Sequence, residues 1–202
     1  MSSWKDEDIQ KIIFTDESKL FCQKQGIHFV RVLKGSKIPH KYFRKTSQNH
    51  GGLELMVWGS IGFEGGQRLI RINERLNGES YKKILDENLI ETGLIDDRIL
   101  QQDNAAVHSS KAVKQYLESE GIELLNWPSQ SPDMSPIENV WAWVKNQLEI
   151  NKNKIQNQDQ LWRQAQTAFF SEACTNLIRH MYLNYQNRIN ELIKNAGKST
   201  KY

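Results

Sequence analysis

Three carboxylates stand out by position. Asp16 closes a short β-prone run, Ile12-Ile13-Phe14-Thr15; Asp103 closes another, Ile99 to Gln102; Glu138 falls in the first turn of a helix opened by Pro136. In open α/β sheets, functional groups gather beyond the carboxyl ends of strands, so two strand ends and one helix start can bring three acids together. Converged carboxylates repel one another, and burial raises their pKa values. A pair of divalent cations removes that cost. Hard oxygen ligands and a need for octahedral geometry favour Mg2+, with Mn2+ as substitute. Two ions about 3.5–4 Å apart would activate an attacking oxygen and stabilise the leaving oxygen of a phosphodiester. Spacing alone does not select this triple from 24 Asp and Glu. Each acid taken singly also reads as a solvated carboxylate or a cap, and Glu138 sits where a helix dipole welcomes negative charge.

The elements that must position these acids follow from the pattern of apolar residues. Ile12–Thr15, His28–Leu33, Leu53–Trp58 and Arg68–Ile72 are β-prone runs separated by glycine-containing links, which predicts an antiparallel meander. The period then becomes helical. Tyr81, Ile84, Leu85 and Leu89 share a face behind Ser80 as a cap; Val113, Tyr116 and Leu117 share another behind Ser109, closed by Gly121. Ile99–Gln102 and Ile122–Trp127 read as strands between and after these helices. Pro136 suits a first helical turn, and Ile137, Val140, Trp141, Val144 and Leu148 trace one apolar stripe behind it. The order predicts a mixed α/β domain, three antiparallel strands followed by parallel ones, with helices flanking the sheet.

Residues 151–160 carry six Asn or Gln and mark the expected boundary. The expected division is a catalytic domain over 1–150 and, over 151–202, a linker with a helical extension packed on it. In the extension, Leu161, Ala165, Ala168 and Phe169 suggest one helix, and Ile178, Met181, Tyr182, Tyr185, Ile189 and Leu192 a long second one.

A chain of 202 residues is long enough to bury about 70% of its unfolded surface in one core. With 38% hydrophobic and 25% charged residues, a wholly disordered chain and a coiled coil are excluded. The net charge of +3 is too mild to name a partner by itself. Cys22 and Cys174 allow at most one bridge, which excludes a disulfide scaffold and favours a reducing compartment. No apolar run approaches a membrane span and residues 1–10 hold no secretory core, so a soluble intracellular protein without a membrane partner is expected.

Four ordered blocks carry a family resemblance: Phe14-Thr15-Asp16-Glu17-Ser18, Val57-Trp58-Gly59, Gln101 through His108, and Trp127 through Trp141. Together, over about Ile12 to Leu148, they resemble the catalytic core of Tc1/mariner-type transposases. The 34 residues between Asp103 and Glu138 match the Tc1-like branch. The resemblance implies an RNase H-like fold and a DDE triad in which Asp16, Asp103 and Glu138 hold two Mg2+ or Mn2+ ions, Asp16 bridging both. It further implies hydrolysis at transposon ends, attack of the freed 3′-hydroxyl on target DNA at TA dinucleotides, double-stranded DNA as partner, a homodimer in the DNA complex, and action in the nucleus.

Two residues depart from the family pattern beside the site. Ser135 stands where asparagine is usual, and Val107 where cysteine or another small residue is common. The chain begins about fifteen residues before Asp16. Paired helix-turn-helix modules are therefore not expected within it, nor unaided recognition of specific transposon ends.

Around the triad, Asn104 would orient water or phosphate, or form a turn. His108 would hydrogen-bond across the site or serve the helix start; Asn139 would support the site. Arg31, Lys34, Lys37, Lys41, Arg44 and Lys45 put six positive charges in a stretch without acids, suited to phosphate contact or to a solvated loop. Lys145 is a further DNA-contact candidate. Trp127 and Trp141 read as packing residues, Trp58 as core beneath the site, and Trp143 as the better exposed contact. Two other functions remain: a non-catalytic, transposase-derived DNA-binding or assembly domain, and an RNase H-like nuclease acting on RNA–DNA hybrids.

Overall fold

The computed structural model describes residues 5–22, 52–126 and 134–194. A short helix α1 (Asp6–Gln10) leads into β1 (Ile12–Cys22), followed by β2 (Leu53–Ile61) and β3 (Arg68–Ile72). Helix α2 (Gly78–Leu85) continues through a wide turn at Asp86–Ile90. Then come β4 (Ile99–Gln101), α3 (Lys111–Ser119), β5 (Glu123–Leu124) and α4 (Pro136–Ile150). Helices α5 (Gln158–Phe169), α6 (Glu172–Leu183) and α7 (Tyr185–Lys194) follow.

The strands form one sheet in the order β3-β2-β1-β4-β5. The β1–β2 and β2–β3 pairs are antiparallel; β1–β4 and β4–β5 are parallel. This is the expected mixed α/β architecture. The expected run at residues 28–33 lies outside the described residues.

β1 is the central strand, and its two neighbours differ in length. It pairs with β2 from Phe14 to Cys22 but with β4 only from Ile12 to Phe14. Asp16 therefore does not end β1, as its sequence suggested. It sits mid-strand, two residues beyond the last parallel pair, Phe14↔Gln101, and Asp103 lies two residues beyond the same pair on the other strand. What stops at this level is the sheet on one side of β1, and that leaves room for chemistry.

Ile12, Ile13 and Phe14 are fully buried because the sheet is covered on both faces. Ile12 and Phe14 face a core shared with α4, α5, α6 and α7; Ile13 faces a second core built from Trp58, Tyr81, Leu85, Leu100 and Val113. This alternation follows from the period of two along a strand. Trp58 takes its expected core position, though β2 runs on past it to Ile61.

Several local expectations shift. The N-cap of α2 is Asn77, whose side chain accepts from Ser80 N, while Ser80 supplies the reciprocal bond. Ser110, not Ser109, caps α3. Gly121 ends that region with φ of +68°, a conformation that favours glycine. Within 151–160, Ile155 is buried in the main core and Asn157 caps α5, while residues 153, 154 and 156–159 are exposed. The predicted long last helix is two, α6 and α7, separated at Asn184. Tyr182 on α6 donates to the carbonyls of Ile12 and Ile61, fastening the carboxyl-terminal helices to the sheet.

Leu148 is 1% exposed in the main core, whereas Leu183 is 55% exposed. Leu148→Ala is expected to cost about 3 kcal/mol in urea unfolding, and Leu183→Ala less than about 0.5 kcal/mol.

Candidate active site

Asp16 lies half-buried on the α4 side of β1, opposite Gly59 on β2. Its Oδ2 accepts from the Trp141 indole Nε1 at 2.9 Å. Burial, and then the Glu138 carboxylate, push the Asp16 pKa up to about 7, against the lowering effect of the Trp141 bond. Asp16 and Glu138 are thus electrostatic neighbours. Glu138 is exposed at the third residue of α4, behind Pro136 at the first. Ser135 occupies the N-cap without a side-chain cap bond; its carbonyl accepts from Glu138 N at 3.3 Å.

Asp103 is placed differently. Its Oδ1 accepts from the Ala105 amide at 2.9 Å and meets His108 Nδ1 at 2.6 Å. The other ring nitrogen, Nε2, meets Glu17 Oε1 at 3.2 Å. Asp103 is thus held toward His108, and among the described residues no three His, Cys, Asp or Glu side chains are gathered closely enough to hold a metal ion. The strand supports this separation: Asp16 and Glu17 are consecutive, so they point to opposite faces of the sheet.

His108 is 3% exposed and stacks on Tyr81 at 4.3 Å between ring centroids. Tyr81 in turn donates to Gln102 Oε1 at 2.7 Å. Burial alone would lower the His108 pKa, but the flanking Glu17 and Asp103 carboxylates outweigh it and raise the value. Carboxylates only accept, so an imidazole bonded to both must donate from both nitrogens. His108 does hydrogen-bond across this region, one of its two expected roles.

Other expected residues fall elsewhere. Asn139 Oδ1 accepts from Arg188 Nη1 at 3.1 Å, tying α4 to α7. Asn104 is exposed. Lys145 is exposed two helical turns beyond Glu138. Arg31, Lys34, Lys37, Lys41, Arg44, Lys45 and Trp127 lie outside the described residues. Trp143 is not an exposed contact; it is half-buried and packs on the main core. Cys22 and Cys174 are both buried. No helix among the described residues is long and apolar enough to cross a membrane.

Sequence reasoning missed Glu17 and the polar side of Trp141. Glu17 stood beside a more conspicuous acid; its partner His108 gave the one available signal. Trp141 lies on an apolar stripe, where its N–H carried no separate mark.

A mixed five-stranded sheet with two antiparallel and two parallel pairings, flanked by helices, is an RNase H-like fold. The crystal structure of the Mos1 mariner transposase catalytic domain has the same fold, with a TM-score of 0.64 at 16% identity over 96% of this chain and 85% of that one. A pre-cleavage Mos1 transpososome structure gives 0.74 at 17% identity over 96% of this chain and 58% of that one. The DDE superfamily endonuclease family matches residues 11–162, and the chain belongs to it. Its relatives include the Tcb1 transposase of Caenorhabditis briggsae, 30% identical over 99% of this chain and 73% of that protein. The Tcb2 transposase of the same organism is 33% identical over 70% of this chain and 53% of that protein. The chain thus matches about half the length of the latter.

The folded Asp16 pKa lies above its ordinary 3.8, so its contribution to stability is complete below pH 3.8 and is lost as pH rises through about 7. In the metal-free protein, Asp16→Asn should match wild type in urea unfolding below pH 3.8. At pH 8 it should be more stable by on the order of 2–4 kcal/mol.

Proposed function

We propose that this chain is the catalytic core of a cut-and-paste DNA transposase, cutting phosphodiesters at transposon ends and joining the freed 3′-hydroxyl to target DNA at TA dinucleotides. The observation that carries this reading is Asp16 beside Glu138, a half-buried acid held near neutrality by its surroundings and by a second carboxylate. Two carboxylates side by side repel and a cation relieves that cost, so Asp16 and Glu138 suit a hard divalent ion, while Asp103 stands apart from them beside His108. Mg2+, or Mn2+ in its place, supplies Lewis-acid activation and charge neutralisation at the phosphodiester.

Asp16 and Glu138 would be the first ligands, and Asp103, two residues past the last parallel pair, would complete the triad by turning from His108. His108 and Glu17 define where Asp103 rests beforehand. Asp16 must give up its proton when a cation binds, so affinity should rise with pH through about 7. In the first step an oxygen of water bonds to phosphorus as the bond to the 3′ oxygen breaks; that oxygen leaves as the 3′-hydroxyl. In the second, the oxygen of that 3′-hydroxyl bonds to a target phosphorus as the bond from that phosphorus to the target strand's 3′ oxygen breaks; the attacking hydroxyl loses its proton and the departing oxygen leaves as a new 3′-hydroxyl.

The proposed partner is double-stranded DNA, held by a homodimer. Relatives named as transposases support this, as do structural neighbours described as a Mos1 paired-end complex with the left transposon end and a Mos1 strand transfer complex. Other neighbours are Mos1 paired-end complexes with Mn and with Mg. Lys145 and the basic residues between 31 and 45 are proposed to contact phosphates without reading sequence.

The test is nicking of supercoiled plasmid by the full chain with Mn2+, alongside Asp16→Ala, Asp103→Ala and Glu138→Ala. Wild type is expected to nick, and each variant to lose at least about a hundredfold. Equal cleavage by wild type and variants would overturn the assignment. Salt-dependent DNA binding with no cleavage by any protein would instead favour an assembly domain.

A further inference from the structure

Trp141 lies one helical turn beyond Glu138 on α4, so the two share a face of that helix. The indole is 1% exposed and stacks on Phe169 at 5.7 Å with 30° between the planes. The ring edge running from Nε1 through Cζ2 to Cη2 lies along the β1–β2 pair. Nε1 meets Asp16 on β1, and Cη2 meets Gly59, the residue directly across from Asp16 on β2. A Cβ at position 59 would stand 2.6 Å from Cη2 and 3.1 Å from Cζ2. Glycine there gives the ring its seat. The ring is therefore set by a face contact with Phe169 and an edge contact with a strand that lacks a side chain. Its one polar atom falls on a carboxylate.

We propose that Trp141 is a positioning residue for the metal site: its indole N–H fixes the orientation of Asp16 and, through α4, the separation of Asp16 from Glu138. This rests on the reading of those two acids as metal ligands. A phenylalanine on the same stripe would keep an apolar ring in the core, yet it would leave Oδ2 of Asp16 without this donor. Groups that orient a first ligand commonly alter metal affinity by about 10–100-fold when removed.

The test is Mn2+ affinity of the full chain, by isothermal titration calorimetry, with thermal unfolding followed in parallel. Trp141→Phe keeps an aromatic ring on the stripe but removes the N–H together with the edge seated on Gly59, and is expected to weaken Mn2+ binding at least about tenfold. Gly59→Ala keeps the N–H but crowds the seat, and is expected to weaken it as well. Leu148→Ala loosens the same core without touching this bond, and should leave the dissociation constant within about twofold. Wild-type affinity in Trp141→Phe or Gly59→Ala overturns the role of Trp141, as does equal weakening in Leu148→Ala. Asp16→Ala separates the two readings. If wild type binds Mn2+ and Asp16→Ala does not, such a result falls on Trp141 alone. If wild type binds none, both readings fail.

Discussion

Burial and the neighbouring Glu138 drive Asp16 toward its neutral form, while the indole N–H of Trp141 pulls toward the charged one. The balance leaves a carboxyl group that titrates near neutrality in the middle of the central strand. Neither force comes from chance surface placement. α4 delivers Glu138 and Trp141 from the same face, and its buried stripe of Ile137, Val140, Val144 and Leu148 holds that face against β1. The packing that stabilises the domain thus also creates the electrostatic tension in the site. A helix that only filled the core would have no need to bring an acid beside a half-buried acid.

The same strand serves a second, separate network on its other face. Glu17 reaches His108, and His108 reaches Asp103, over a floor of Tyr81 and Gln102. Alternation along β1 sends Asp16 and Glu17 to opposite sides, and the early end of the β1–β4 pairing lets both lie beside open space. A longer β4 would have carried Asp103 onward as a strand residue. Its departure after Gln101 lets the chain turn, with Asp103 capping the Ala105 amide and leaning on His108. The sheet is thus short on one side of β1 at the level where the acids stand.

Much of this was legible in sequence because it depends on short-range pattern. The apolar stripe behind Pro136 located α4, and the run Arg68–Ile72 located β3 to the residue. What was not legible depends on partners distant in sequence. Nothing local shows that β1 continues past Asp16, because that extension is fixed by pairing with β2 out to Cys22. Nor does local pattern show that the last apolar stripe breaks at Asn184, since both pieces keep a helical period and only their packing separates them. The indole of Trp141 is the sharpest case. An apolar stripe shows which face is buried, but a polar atom on a buried ring acquires meaning only once the opposing strand is known.

The position of Asp103 bears on how the triad could close. Its side chain is 57% exposed, so trading one contact for another imposes little desolvation on it. His108 is the group at risk, since it is buried and bonded to two carboxylates. If Asp103 were its sole partner, withdrawal would strand a buried donor, at a cost of about 1–3 kcal/mol or more. Glu17 offers another outcome: with Nε2 still donating to it, the ring can release its Nδ1 proton and remain as the neutral tautomer. Glu17 lies on the same strand as Asp16, does not need to move, and keeps Nε2 of His108 paired when Nδ1 is released. A second carboxylate behind the histidine therefore makes the proposed swing of Asp103 compatible with an intact floor. It also accounts for a buried ionisable pair on a face of β1 that would otherwise have been filled by apolar side chains.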